Sequence, residues 1–189
     1  VAPPAPSVRL IAFVPVANVT KAPVDQVFGD GLVETLASSL TQLERFQRTL
    51  RVVPSSETRR EGVASAKEAH NAFGATLAVT GAIQRTGSAV RLTLNLVDAQ
   101  QLHQLASRTL VLTTGPDQIT PDTVVETLAS LLDLQLNSEA RRAITAGGTT
   151  ALGAYEQYVQ GRGFLQRFDR PENIDLAIER FTRAIALDD

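Results

Sequence analysis

Cysteine, methionine and tryptophan are all absent from the 189 residues. Without cysteine there is no disulfide, no thiolate nucleophile and no thiolate metal site, and the redox compartment stays open. Lysine occurs only at Lys21 and Lys67, and 18 basic residues face 20 acidic ones for a net charge of −2. The concentrated cationic footprint that nucleic acid binding needs is missing. No apolar run approaches the roughly 20 residues that span a bilayer, and no signal-peptide pattern is visible. Direct membrane insertion is therefore not expected of this chain. A chain that opens at Val1 and holds no methionine reads as a piece of a longer protein, with any membrane segment outside it.

What is present suits a globular protein: 43% of residues are apolar and 20% charged, enough for one solid core plus an appendage. Residues 1–7, VAPPAPS, read as a proline-rich linker. Residues 8–16, VRLIAFVPV, form a nearly continuous apolar run, the pattern of a strand covered on both faces. An apolar stripe at Val24, Val27, Phe28, Leu32, Leu36, Leu40 and Leu43 then predicts a helix. Leu50 to Val53 predicts a second strand, stopped by Pro54. Ser65 and Glu68 form a capping box, with Gly74 suited to the helix end. Residues 75–84 predict a third strand, joined through Thr86-Gly87-Ser88 to residues 89–97. There Val90, Leu92, Leu94 and Leu96 alternate with polar residues, so one face meets the core. Residues 102–112 predict another strand. Thr120-Pro121 starts a helix over the stripe Val124, Val125, Leu128, Leu131 and Leu132, and a short helix near 139–146 ends at Gly147-Gly148. The order β-α-β-α-β-β-β-α predicts a mixed, mostly five-stranded α/β sheet flanked by helices.

Composition shifts at the double glycine. The last 40 residues hold five of the nine aromatics: Tyr155, Tyr158, Phe164, Phe168 and Phe181. Two amphipathic helices fit there, over about 150–167 and 171–187. The domain reading is a linker over 1–7, an α/β domain over 8–146 and a helical hairpin over 150–189.

The α/β part resembles the TolB-like N-terminal domain. The likeness rests on Phe28, Asp30, Gly31, Leu32, Glu34 and Leu36, then on Arg51, Val52 and Val53. It continues through the hairpin pattern at Gly81, Gly87 and Arg91 and the ending Val97, Asp98 and Ala99. It spans residues 8 to about 115, with departures at Val16, where the family often has phenylalanine, and Gln101, where glycine is usual. The resemblance implies a TolB N-terminal, anticodon-binding-like sheet. The tail is similar to the start of a tetratricopeptide (TPR) array. Gly161 and Phe164 match the first helix, and Ala177, Phe181 and Ala184 the second. AIALDD stands where such repeats end, with Asp189 in place of their proline. A long QRFDRPENI loop makes this an atypical first repeat of a truncated array.

Chemistry finds little foothold. Gly29-Asp30-Gly31 lacks the third glycine and the lysine of a phosphate loop, and Asp30 would repel a phosphate. Close packing of the helix on the sheet is the reading preferred for both glycines, since helix-interior glycine costs about 1 kcal/mol and needs a return. His70 and His103 sit far apart in different elements and read as a solvated helix residue and a strand residue, since a zinc site wants three or four converging ligands. Asp30 and Glu34, one turn apart near a helix start, read as solvated dipole partners. The pairs Arg59-Arg60 and Arg141-Arg142 read as solvated too. Ser38 and Ser39 have no histidine within sequence-suggested reach, and no kinase motif occurs. No catalytic, cofactor or metal residue is assigned.

The interaction residues expected from the TPR likeness are Tyr155, Tyr158, Gly161, Phe164 and Phe181. The combined resemblance implies a non-catalytic interaction region of a bacterial signalling protein, first a membrane-tethered serine/threonine protein kinase. Its partner would be a protein or peptide taken by the TPR-like helices, with a homodimer through those helices as a further expectation. The fragment would then lie outside the cytoplasm, with cytoplasmic placement the alternative. A small-ligand or nucleotide sensor of an adenylate cyclase or transcriptional regulator is the alternative function, its site at the strand ends. A deep, polar strand end would favour it; a filled one would not.

Overall fold

A computed structural model of the chain describes residues 8–87, 89–112, 120–145, 148–149, 151 and 153–188. The linker over 1–7, Ser88 of the hairpin turn, Gly147 of the double glycine and Asp189 lie outside the described residues.

Strands β1 (Arg9–Phe13), β3 (Leu50–Val52), β4 (Leu77–Thr86), β5 (Ala89–Asp98) and β6 (Gln104–Leu112) form one sheet in the order β3-β1-β4-β5-β6. The first three run parallel and the last three antiparallel. The 8–16 run does not make one strand. Pro15 lacks a backbone donor, so β1 stops at Phe13 and a two-residue β2 (Ala17–Asn18) resumes the pairing with β4. β2 is the sixth strand of the mixed sheet. Helices α1 (Pro23–Leu43), α2 (Ser55–Arg60) and α3 (Ala66–Phe73) fill the parallel crossovers, and α4 (Pro121–Leu132) and α5 (Ser138–Thr145) follow the meander.

Period-two alternation splits the sheet into two faces. Ile11, Phe13, Val79, Ile83, Leu92 and Leu94 point into the main core with Leu32, Leu36 and Leu40 of α1 and Val124, Val125 and Leu128 of α4. Ala12 and Ala78 point the other way, toward Ala69 and Ala66 of α3. The local start and stop signals act as their chemistry requires. Ser65 Oγ accepts from the Glu68 amide at 3.2 Å, and Gly74 closes α3 at φ 69°. Thr120 Oγ1 caps α4 by accepting from the Thr123 amide at 3.2 Å, with Pro121 behind it. No helix among the described residues is long and apolar enough to cross a membrane.

The C-terminal hairpin comprises α6 (Ala154–Leu165) and α7 (Pro171–Asp188). Its first helix lies on α1, and Tyr155 and Val159 of α6 belong to the main core. The second helix packs on α6 through Ala177, which is 1% exposed.

Candidate functional site: the hairpin and its seat on α1

One pair of glycines, Gly31 and Gly163, seats the hairpin on α1. A Cβ at Gly31 would fall 1.9 Å from the Val159 carbonyl oxygen, and one at Gly163 would fall 1.9 Å from that of Val27. The backbones of α1 and α6 therefore touch at a crossing that only glycine permits on both sides. This corrects the expectation for Gly31, whose close neighbour is α6 and not the sheet. Gly29 does meet the sheet side: its Cβ would lie 2.6 Å from Val16 Cγ2 and 3.6 Å from Ile83 Cγ2. Within the hairpin, a Cβ at Gly161 would strike the Phe181 ring at 2.5 Å.

Polar contacts surround the crossing. Arg162 donates to Glu34 Oε1 and Ser38 Oγ, each at 3.1 Å, and to the Tyr158 hydroxyl at 2.8 Å. Arg167 donates to Asp30 Oδ2 at 2.8 Å. Glu34 also accepts from the Ser55 hydroxyl, and Arg59 lies 3.7 Å away. Asp30 and Glu34 are only 17% exposed in their side chains. The expectation of solvated dipole partners is thus overturned: Glu34 ties α1 to α6 and to α2, and Asp30 ties α1 to the segment just after α6. Nor are the arginine pairs wholly free, since Arg60 pairs with Glu57 and Arg141 with Glu126.

Of the five positions expected to interact, Tyr155, Tyr158, Gly161 and Phe181 are brought together in the seam between α6 and α7. Tyr155 is 7% exposed. Its ring stacks 6.1 Å from that of Tyr158, which lies 6.0 Å from Phe181. Burial, with Tyr158 adding, pushes the Tyr155 phenol well above its ordinary range, against a smaller opposite pull from Arg162. Phe164 is half-buried. Tyr155, Tyr158, Gly161 and Phe181 join α6 to α7, and the two tyrosines reach the core.

The open surface lies elsewhere. Ile174, Ile178 and Ile185 are 43%, 58% and 63% exposed along one side of α7, and Phe168 in the α6–α7 loop is 71% exposed. Their spacing of four and seven was readable in the sequence as a helical stripe, and so was the second interior glycine, Gly163. What the sequence could not show is which apolar stripe of the hairpin faces the α/β layer.

Asp98 Oδ1 accepts from the amides of Gln101 and Gln100 at 2.7 and 2.9 Å, a turn cap. His103 and His70 both lie near enough to act on its charge, so they converge more than their separation in sequence suggested. Among the described residues no three His, Asp or Glu side chains gather as a metal would need.

At the carboxyl end of β1 a cleft of about 270 Å3 is lined by Phe13, Asp30, Ser55, Arg59 and Arg167, among others. Its charges already serve one another: Asp30 holds Arg167, and Arg59 faces Glu34. Past the end of β1, which pairs directly with β4, β2 continues along the same edge of β4, paired Ala17 to Ala82 and Asn18 to Ile83.

No protein-family model matches this chain, and no curated protein matches it. Among solved structures it is similar to the lipoprotein GNA1162 from Neisseria meningitidis, at 16% identity and TM-score 0.45 over 66% of this chain and 94% of that one. It is similar to the PelC dodecamer from Paraburkholderia phytofirmans at 21% identity and TM-score 0.41, covering 69% and 94%. TolB from Acinetobacter baumannii gives 16% identity and TM-score 0.42, covering 80% of this chain and 31% of that one.

Proposed function

We propose that the chain is a non-catalytic, protein-interacting region of a larger bacterial signalling protein, in first place a membrane-tethered serine/threonine kinase with this region outside the cytoplasm. The observation that carries the interaction reading is the open stripe Ile174, Ile178 and Ile185 on α7. Three isoleucines exposed on one side of a helix are hydrated at a free-energy cost, and docking against a protein surface would remove it. The helix bearing them is fixed through α6 to α1, so little ordering entropy opposes docking. The kinase parentage and the TPR-type array rest on the sequence resemblance. The ligand-sensing alternative finds less support, because the charges around the cleft at the end of β1 pair internally.

The test places a photo-crosslinking amino acid at Ile178 in the full-length parent, with exposed Lys67 of α3 as control. The reading expects a discrete protein adduct, a partner or a second copy, from position 178 and none from 67. Equal labelling at both positions, or none at 178, would reject it.

A further inference from the structure

The open side of α7 has a finer pattern than a stripe. Ile174, Ile178, Phe181 and Ile185 follow one another at steps of four, three and four, the spacing of a coiled-coil seam. The three isoleucines are exposed. Phe181 lays its ring on Gly161 and near Tyr158 but is only half-buried. A seam of this kind takes a second helix of the same spacing, knobs into holes.

The spacing is also symmetric end to end. Turned over about a two-fold axis centred between Glu179 and Arg180, the seam meets itself. Ile174 falls against Ile185 of the second copy, and Ile178 against Phe181 of the second copy. A two-fold interface must be self-complementary in this way. Two α7 helices running in the same direction would instead stack Phe181 on its own copy and align their dipoles.

Charge shows why the second helix is this chain's own. Partner choice at such seams is set by charges on the flanking positions. One flank of α7 holds Ala177, buried against α6, and half-buried Ala184; the other holds exposed Asp175 and Thr182. In the end-over-end register Asp175 lies across from neutral Thr182, so like charges do not meet. Glu179 and Arg183 hold each other at 2.8 Å, and Arg180 donates to Gln157 of α6 at 3.2 Å. The seam thus carries no charge code for a foreign helix and nothing that repels its own copy.

We propose that α7 pairs end over end with α7 of a second copy, burying Ile174, Ile178 and Ile185 between two hairpins. This deepens the protein-interaction reading and rests on it, with a second copy as the partner.

The experiment combines sedimentation equilibrium of the full chain with crosslinking of cysteine variants, which the absence of native cysteine keeps clean. A seam this short falls below the standard interface size, so the mass should rise from one chain toward two between roughly 10 and 1,000 µM. Ile178→Lys should raise the dissociation constant at least tenfold. Lys67→Glu on α3 should leave it unchanged, and melting curves of both variants in dilute solution should match wild type. Ile174→Cys mixed with Ile185→Cys should join through a short bis-maleimide. Ile174→Cys alone should not, because two copies of residue 174 would stand about 16 Å apart along the helix axis. A single-chain mass throughout that range, or Ile174→Cys joining as readily to itself, overturns the proposal. With a monomeric chain, a different protein captured at position 178 sinks this proposal alone, and no adduct at 178 sinks the interaction reading with it.

Discussion

Leu102 holds φ at +59° in the turn between β5 and β6, with its side chain 52% exposed. A left-handed conformation costs an L-residue roughly 1–2 kcal/mol, and an exposed side chain returns little of it. Leu102→Gly should therefore raise stability by about 0.5–1 kcal/mol after glycine's own entropy cost. A urea midpoint no higher than wild type would contradict this. Asp98, in the same turn, is held below the ordinary aspartate range, chiefly by the Gln101 amide. Slight desolvation opposes this, while the Gln100 amide, His103 and His70 add to it. A carboxyl lowered on folding stabilises above its unfolded pKa and ceases to do so as pH falls through its folded one. The melting difference between wild type and Asp98→Asn should be full at neutral pH and shrink below about pH 4; a difference indifferent to pH would refute the cap. Across the sheet, fully buried Asp25 meets Arg85 at 2.6 Å, and Asp25 Oδ2 has no partner. Removing one partner of a buried pair costs about 3–5 kcal/mol. Arg85 is 34% exposed, so Arg85→Ala should cost less, about 2–3 kcal/mol by denaturant melts. Adding Asp25→Asn should restore part of that loss.

Between elements, α1 is the shared partner of the sheet, of α2 and of α6. Sequence reading found its apolar stripe because burial on one side imposes a helical period. It could not find the role of the polar side, because Arg167 and Arg162, which hold Asp30 and Glu34 from the C-terminal hairpin, stand 137 and 128 residues away. Local sequence offers only neighbours, so a solvated acid and a bridging acid look alike. The same limit hid the target of Gly31: an interior glycine announces close contact but does not name the surface. Glu34→Gln should lower stability by about 1–2 kcal/mol, since hydrogen bonds to a charged group are lost. Combined with Arg162→Ala, the losses should fall short of their sum by about 0.5 kcal/mol or more. Strict additivity would mean that α6 does not depend on this pair.

For the molecule as a whole, the sheet was the most legible part. Strict alternation from Val90 to Leu96 marks a strand with one buried face, and the Ser65, Gly74 and Thr120 signals act through local backbone groups. The hairpin's existence was legible too, but its orientation was not, because Tyr155, Tyr158 and Phe181 suit an outer surface and an inner seam equally well. They form the seam, and the less conspicuous isoleucines of α7 are left exposed. All of this depends on α6 being seated on α1 at the Gly31–Gly163 crossing. The most direct measurement is amide hydrogen exchange over α6 in wild type and Gly31→Ala. The added methyl would lie 1.9 Å from the Val159 carbonyl oxygen, an overpacking worth about 1–3 kcal/mol. Exchange of α6 amides should accelerate about tenfold or more while β4 and β5 stay protected. Unchanged α6 protection together with an unchanged melting temperature would contradict the account.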